Sequence, residues 1–421
     1  MSHSRIIDPR LLFWASVFLC CCPLRVARSQ DIGQRPWSNV AADEMLAIHP
    51  NYINYDTPSL AWNYPQALIL HAVWGVWKQT QDKKYFDYVQ KSVDFYLTDA
   101  GETKTYVQND FRLDDLLMGR VILDMYESTK NVKYKNAAGI LRAQLNKQPR
   151  TPEGGFWHKK AYPNQMWLDG LYMAEPFYAQ YGKIFDEPMD LDDIATQFIL
   201  MAKHSLDPKT GLMYHGWDYS RKEKWADQKT GDSPCFWGRS IGWYMMGLVD
   251  VLKYFPENYP KREELVSVLQ NLSKSLLKYQ DKKTHLWYQV VDQPGRSGNF
   301  LESSASAMFA YSFAKGAREK YLSKSYLGVA ANTFSGILNY SSKVNQAAAH
   351  VAGRSQPSFV LENISGTVGL GGDPYRDGSF EYYVGVPKEK DDFRGVGPFI
   401  LAAIELEKAG AIEKQTTVVM P

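Results

Sequence analysis

NFLESSASAMFAYSFAKGA, residues 299–317, reads as a helix without a polar face. Ser303, Ser304, Ala305, Ser306 and Ala307 give way to Met308, Phe309, Tyr311 and Phe313, so every side of the turn carries small or apolar groups. A helix that is apolar all round is enclosed all round, and small side chains let neighbouring axes come close. Five more stretches have this character, each opened by aromatic, acidic or glycine residues. They are WNYPQALILHAVWGVW from Trp62, FRLDDLLMGRVILDMY from Phe111, MWLDGLYMAEPFYAQY from Met166, FWGRSIGWYMMGLVDVL from Phe236 and VGPFILAAIELEKAG from Val396. Between them lie six ordinary amphipathic stretches, at 38–48, 83–97, 133–146, 190–203, 261–279 and 325–340. In 261–279, Leu265, Val268, Leu269 and Leu272 keep the i, i+3, i+4, i+7 spacing of a one-sided helix. Alternating enclosed and one-sided helices predict two concentric layers. The expectation is an all-α fold, an (α/α)6 barrel of six inner and six outer helices. An open solenoid is the competitor, but its repeats would be more even and more interchangeable. Short extended pieces are expected at 286–291 and 380–386. With no Pro- or Ser-rich linker, residues 30–421 read as one domain.

The first 29 residues have the pattern of a secretory leader. Arg5 and Arg10 precede the apolar run Leu11–Cys22, and Ala27-Arg28-Ser29 is a small-x-small cleavage site before Gln30. This predicts a secreted or periplasmic protein. A lipid anchor is the alternative, although Phe18-Leu19 before Cys20 is not the small residue an anchor needs. The apolar run is short for a membrane span. Removing this segment takes away Arg5, Arg10, Arg25, Arg28 and Asp8, which turns the formal charge from +2 into −1. Such a balance exerts no general pull on nucleic acid or anionic lipid. Of the four cysteines only Cys235 remains, so no internal disulfide is expected and the core must supply stability.

The H-E-x-x-H, C-x-x-C, Walker and G-x-S-x-G patterns are missing from the sequence, and no metal or organic cofactor is indicated. GLGGDPYRDG, 369–378, reads as a mobile loop and not as a phosphate cradle. Cys235 reads as a buried apolar residue. The notable groups are acids placed inside enclosed helices: Asp114 and Asp115 in FRLDDLLMG and Asp169 in MWLDGLYM. Carboxylates are seldom buried unless paired or functional. Consecutive helical residues point about 100° apart at about 3.6 residues per turn, so one of Asp114 and Asp115 faces the barrel axis and the other meets a cap or a neighbouring helix. His158, His215, Trp237, Arg239 and Trp243 stand near the mouths of the same helices. Each alone has an ordinary structural reading. Together they suit a sugar acid: tryptophan faces stack on pyranose rings and an arginine fork matches a carboxylate. A carboxyl in apolar surroundings holds its proton for donation.

WLDGLYMAEPF, YHGWD, FWGRSIGW and GVGPFILAAIE, in this order and spacing, resemble the unsaturated rhamnogalacturonyl hydrolases of glycoside hydrolase family 105, over about residues 36 to 412. The resemblance implies an (α/α)6 barrel acting on oligosaccharides left by pectin-type lyases, which end in a 4,5-unsaturated uronic acid. It implies that Asp169 is the general acid and base and that Asp114, not Asp115, is the second aspartate of the site. It places His158, His215, Trp237, Arg239 and Trp243 around the sugar, with Trp62 and Tyr64 as aromatic subsite residues. Ile241 departs from the family pattern WGRSNGW. Segments 218–232 and 365–394 are expected to shape the aglycone subsite. Three rivals stand beside this reading: an unsaturated glucuronyl hydrolase of glycosaminoglycan fragments, an inverting glycosidase using Asp114 and Asp169, and a secreted glycan-binding module.

Overall fold

The computed structural model describes residues 34–51, 62–344, 359–413 and 415–416 together with Met1. The expected leader, with its cleavage site and cysteines, lies outside the described residues. Thirteen α-helices occur among those described: α1 Trp37–Ile48, α2 Tyr64–Thr80, α3 Lys83–Tyr96, α4 Met118–Thr129, α5 Val132–Leu145, α6 Leu168–Phe185, α7 Asp190–Ser205, α8 Gly238–Val251, α9 Arg262–Leu276, α10 Ser303–Arg318, α11 Tyr326–Tyr340, α12 Phe380–Gly385 and α13 Phe393–Lys408. Helices α2, α4, α6, α8, α10 and α13 pack each on the next, and α13 returns to α2. This closed ring excludes the open solenoid. Helices α1, α3, α5, α7, α9 and α11 lie outside it, in the alternation expected from their one-sided patterns. No helix among the described residues is long and apolar enough to cross a membrane.

Glycines hold the ring tight. A glycine inside a helix costs roughly 1 kcal/mol relative to alanine, so the inner helices carry them for a reason. A Cβ added at Gly242 of α8 would come within 2.7 Å of Met308 of α10, and one at Gly397 of α13 within 2.7 Å of Leu68 of α2. At Gly119 of α4 it would enter the Phe177 ring of α6. Every residue of α8 is buried, including Ile241.

The extended structure consists of short two-stranded pairs. Gln165–Trp167 pairs antiparallel with Gly216–Asp218, and Trp287–Tyr288 pairs with Leu301–Glu302, the latter inside the expected 286–291 piece. Both strand pairs sit where an inner helix begins, so they fix the approach of the chain to the cleft end of the barrel. Residues 380–386 are not extended: Phe380–Gly385 is helical, with the Ser379 hydroxyl accepting from the Tyr382 N–H at 3.1 Å. This cap and the burial of Phe380 and Tyr383 override the strand preference of the aromatic and β-branched residues there. The 369–378 segment is a turn closed by reciprocal Gly371 and Arg376 backbone hydrogen bonds, 2.8 and 3.2 Å.

Candidate active site

The N-terminal ends of the inner helices open into a cavity of about 200 Å³. Tyr64 is the first residue of α2 and Asp169 the second of α6, while Asp114 lies in the 3-10 turn Leu113–Leu117 that leads into α4. All three line the cavity with His158. Tryptophan 167, the residue that joins the short strand to α6, forms a wall. His158 stacks on it at 4.4 Å between centroids and Tyr162 at 4.9 Å. Its indole N–H donates to Gln165 Oε1 at 3.1 Å, a partner two positions back on the same face of the strand.

Each carboxylate has its own imidazole. His158 Nε2 lies 3.4 Å from Asp114 Oδ1, and His215 Nε2 lies 3.2 Å from Asp169 Oδ2. Burial alone would raise the Asp114 carboxyl, but His158, Lys159 and Arg112 outweigh it and hold it down at about 2. Asp115 is buried and turned to Arg112, with Nε to Oδ2 at 3.8 Å, and burial pushes it up to about 7. The two neighbouring acids thus diverge as helical geometry requires, with Asp114 on the cavity side. His215 is fully buried, and burial pushes its imidazole below the usual range. It is placed beside the Gln165–Trp167 and Gly216–Asp218 strand pair: its carbonyl accepts from the Leu168 N–H at 3.0 Å, one residue before Asp169.

Like His215, four more residues expected around the sugar are packed behind the cavity wall instead. Arg239 is 1% exposed, and its terminal nitrogens donate to the carbonyls of Ser365 and Gly366 at 2.5 Å each. The fork read from the sequence as a carboxylate clamp therefore holds the backbone of the 365–366 turn. Trp237 lies on the far side of His215 at 4.7 Å and stacks with Tyr383. Trp243 stacks on Tyr172 and meets the Tyr64 ring edge-on. Trp62 donates from its indole nitrogen to the Asp115 carbonyl at 2.8 Å, bracing the turn that carries Asp114.

The cavity's cations escaped the motif reading. Arg112, Lys159, Arg376 and Arg394 all line it. Arg394 is paired with Asp392 and donates to the Thr367 hydroxyl at 2.6 Å. Lys159 and Arg376 have no carboxylate partner among the described residues. Arg376 is aimed by its own turn. Its Nε donates to the Gly371 carbonyl at 2.7 Å and its Nη2 to the Tyr162 hydroxyl at 2.5 Å. A Cβ at Gly372 would come within 2.8 Å of Nη2, and one at Gly369 would strike Nη1, so the glycine-rich composition makes room for a guanidinium. The signal was present in the sequence as a lone arginine within that turn. From the two expected aglycone segments, Thr367, Val368, Arg376 and Arg394 reach the cavity wall, while Glu223 supports it by accepting from Gln165 Nε2 at 3.1 Å. Cys235 is buried, and burial pushes its thiol up to about 12, which suits a packing role. Among the described residues no three His, Cys, Asp or Glu side chains are grouped to hold a metal ion.

The arrangement can bind an anionic sugar and move a proton, and the comparisons define the class. The family model described as Glycosyl Hydrolase Family 88 matches residues 37–409, so the chain belongs to that family of glycoside hydrolases. A solved glycoside hydrolase of family 105 from C. acetobutylicum ATCC 824 is 38% identical with a TM-score of 0.83, covering 89% of this chain and all of that one. The unsaturated rhamnogalacturonyl hydrolase YesR of Bacillus subtilis (strain 168) is 26% identical over 277 residues, 64% of this chain and 75% of that protein. The unsaturated glucuronyl hydrolase of Bacillus sp. GL1 is 12% identical with a TM-score of 0.64, covering 91% of this chain and 98% of that one, a likeness of fold.

Proposed function

We propose that this protein hydrolyses oligosaccharides whose non-reducing end is a 4,5-unsaturated uronic acid, with Asp169 as the proton donor. The observation that carries the reading is the Asp169 carboxyl, backed by buried His215 and opening into a cleft whose Lys159 and Arg376 have no carboxylate of their own. A uronate supplies the missing negative charge. The carbon–carbon double bond of such a sugar is a vinyl ether, because C5 bears the ring oxygen. Protonated Asp169 delivers its proton to C4, and positive charge develops at C5 and the ring oxygen. Water adds at C5 and gives its proton to the Asp169 carboxylate, which restores the acid. The hemiketal opens to a ketone, and the former ring oxygen becomes a hydroxyl on C1. Collapse of that hemiacetal to the aldehyde releases the aglycone. No nucleophile at the anomeric carbon is needed. Asp114, kept ionised by His158, serves as a hydrogen-bond acceptor for ring hydroxyls.

The rhamnogalacturonan-type substrate is favoured over the glycosaminoglycan type by the 26% identity to the unsaturated rhamnogalacturonyl hydrolase YesR against 12% to the glucuronyl hydrolase. The test is a panel of lyase-derived unsaturated disaccharides followed by loss of the ultraviolet absorbance of the double bond. Turnover of rhamnogalacturonan disaccharides ahead of chondroitin disaccharides is expected. Sugar release with the absorbance intact would replace this mechanism with direct glycosidic cleavage. Arg376→Ala should raise KM more than it lowers kcat, because its guanidinium holds the substrate's carboxylate and takes no part in proton transfer.

A further inference from the structure

Behind Asp169 the polar contacts continue into the core. His215 Nδ1 lies 2.9 Å from the hydroxyl of Tyr383, on the short helix α12, 168 residues further along the chain. Both side chains are fully buried. Tyr383 is held on several sides. Its carbonyl accepts from Gln289 Nε2 at 3.0 Å, the same amide donates to Ser365 Oγ at 2.8 Å, and Gln289 Oε1 accepts from the Trp237 indole at 3.1 Å. The Trp237 ring stacks against the phenol ring at 22°.

A neutral imidazole has one donor and one acceptor nitrogen, and the partner of one nitrogen decides the role of the other. Burial, the largest influence on both groups, keeps Tyr383 a phenol and His215 a neutral ring. Around His215 the charged or titratable groups are Asp169, His158 and Arg376; around Tyr383 they are Cys235, Tyr382, Asp169 and Asp377. If the phenol donates to Nδ1, the imidazole proton sits on Nε2, the nitrogen 3.2 Å from Asp169 Oδ2. That oxygen is then an acceptor and carries no proton of its own. Asp169 Oδ2 and His215 Nε2 are both buried, face each other and have no other hydrogen-bond partner, while the carboxyl as a whole is 14% exposed to the cleft; a small turn of the ring aligns the N–H on Oδ2. In the opposite tautomer Oδ2 would be protonated and hydrogen-bonded to Nε2, with its proton turned away from the cleft.

We propose that Tyr383 is a positioning residue: by donating to His215 Nδ1 it fixes the Nε2–H tautomer and so confines the transferable proton of Asp169 to Oδ1, the oxygen that faces the substrate. Asp169 touches the reacting atoms; His215 and Tyr383 act through it. This inference rests on the reading of Asp169 as proton donor.

The test is the nitrogen-15 NMR spectrum of the histidine rings in the full-length protein without substrate, with His215 assigned by the loss of its signals in His215→Asn. The wild-type ring should show a protonated Nε2 and a bare Nδ1. A wild-type ring protonated on Nδ1 overturns the proposal without any Tyr383 variant being needed. In Tyr383→Phe, checked for folding by its melting curve, the second tautomer should appear. kcat should fall about tenfold, the scale of one lost buried hydrogen bond, while KM stays put and the acid limb of the pH profile moves. Tyr383→Phe with the wild-type tautomer and pH profile would equally overturn the proposal. Because the tautomer is read without substrate, the relay can stand even if the disaccharide panel fails, and the panel can succeed with the relay refuted.

Discussion

Asp169 and Asp250 both lie inside the ring of inner helices, one near the N-terminal end of α6 and the other at the C-terminal end of α8. Asp250 is enclosed by opposite charge. Arg120 Nη2 of α4 is 2.8 Å from its Oδ2, Lys315 of α10 pairs with its Oδ1, and the Tyr311 hydroxyl donates to that same oxygen at 2.6 Å. Burial alone would raise its carboxyl; Lys315 and Arg120 together drive it far below the usual range. Asp169 has one imidazole on one oxygen and open space on the other side. A carboxylate locked between two cations cannot hold a proton at neutral pH. The same residue type thus joins three helices at one end of the barrel and is free for chemistry at the other.

Removing the carboxylate at each place separates these roles. Asp169→Asn should lower kcat by roughly 10²–10⁴-fold, the usual share of a general acid, with an unchanged melting temperature. A stable variant with near wild-type turnover would return Asp169 to the structural class. Asp250→Leu should do the reverse. It leaves Arg120 and Lys315 buried without a counter-charge, at a cost of about 3–5 kcal/mol, read by urea unfolding, while the activity per folded molecule stays close to normal.

Gly119→Ala addresses the same ion cluster from its scaffold. The new methyl meets the Phe177 ring and pushes α4 from α6 beside Arg120, which should cost about 1–3 kcal/mol as other overpacked cores do. Equal stability of this variant would show that the ring has slack at that seam. The smallest effect is a pH dependence. Asp114 is held at about 2, below its ordinary 3.8. Its stabilisation is therefore complete above about pH 4 and disappears as the pH falls through about 2, a contribution of about 2 kcal/mol. Urea melts at pH 5 and pH 2.5 should show Asp114→Asn losing less stability on acidification than the wild type does. Parallel losses would mean that His158 does not stabilise the Asp114 carboxylate.

Much of the architecture was legible because it is a local property of each helix. The all-round apolar character of 299–317 and the one-sided pattern of 261–279 are visible within single turns, and they place inner against outer helices before any contact is known. Asp114 and Asp169 were legible as acids in otherwise enclosed stretches, and His158 as a base near the mouth of one of them. Arg239 was misread because its partners, the carbonyls of residues 365 and 366, belong to the backbone of a turn far along the chain. Arg376 and Tyr383 were missed for the same reason: each meets the site through a contact spanning about two hundred residues. The 380–386 strand failed because a serine cap and buried aromatics outweighed intrinsic preference.

The direct test of proton transfer to carbon is turnover of an unsaturated rhamnogalacturonan disaccharide in heavy water. The account predicts one carbon-bound deuterium at C4 of the released sugar, seen by mass spectrometry and proton NMR, and loss of both labelling and turnover in Asp169→Asn. Cleavage that leaves C4 unlabelled and the double bond in place would contradict it.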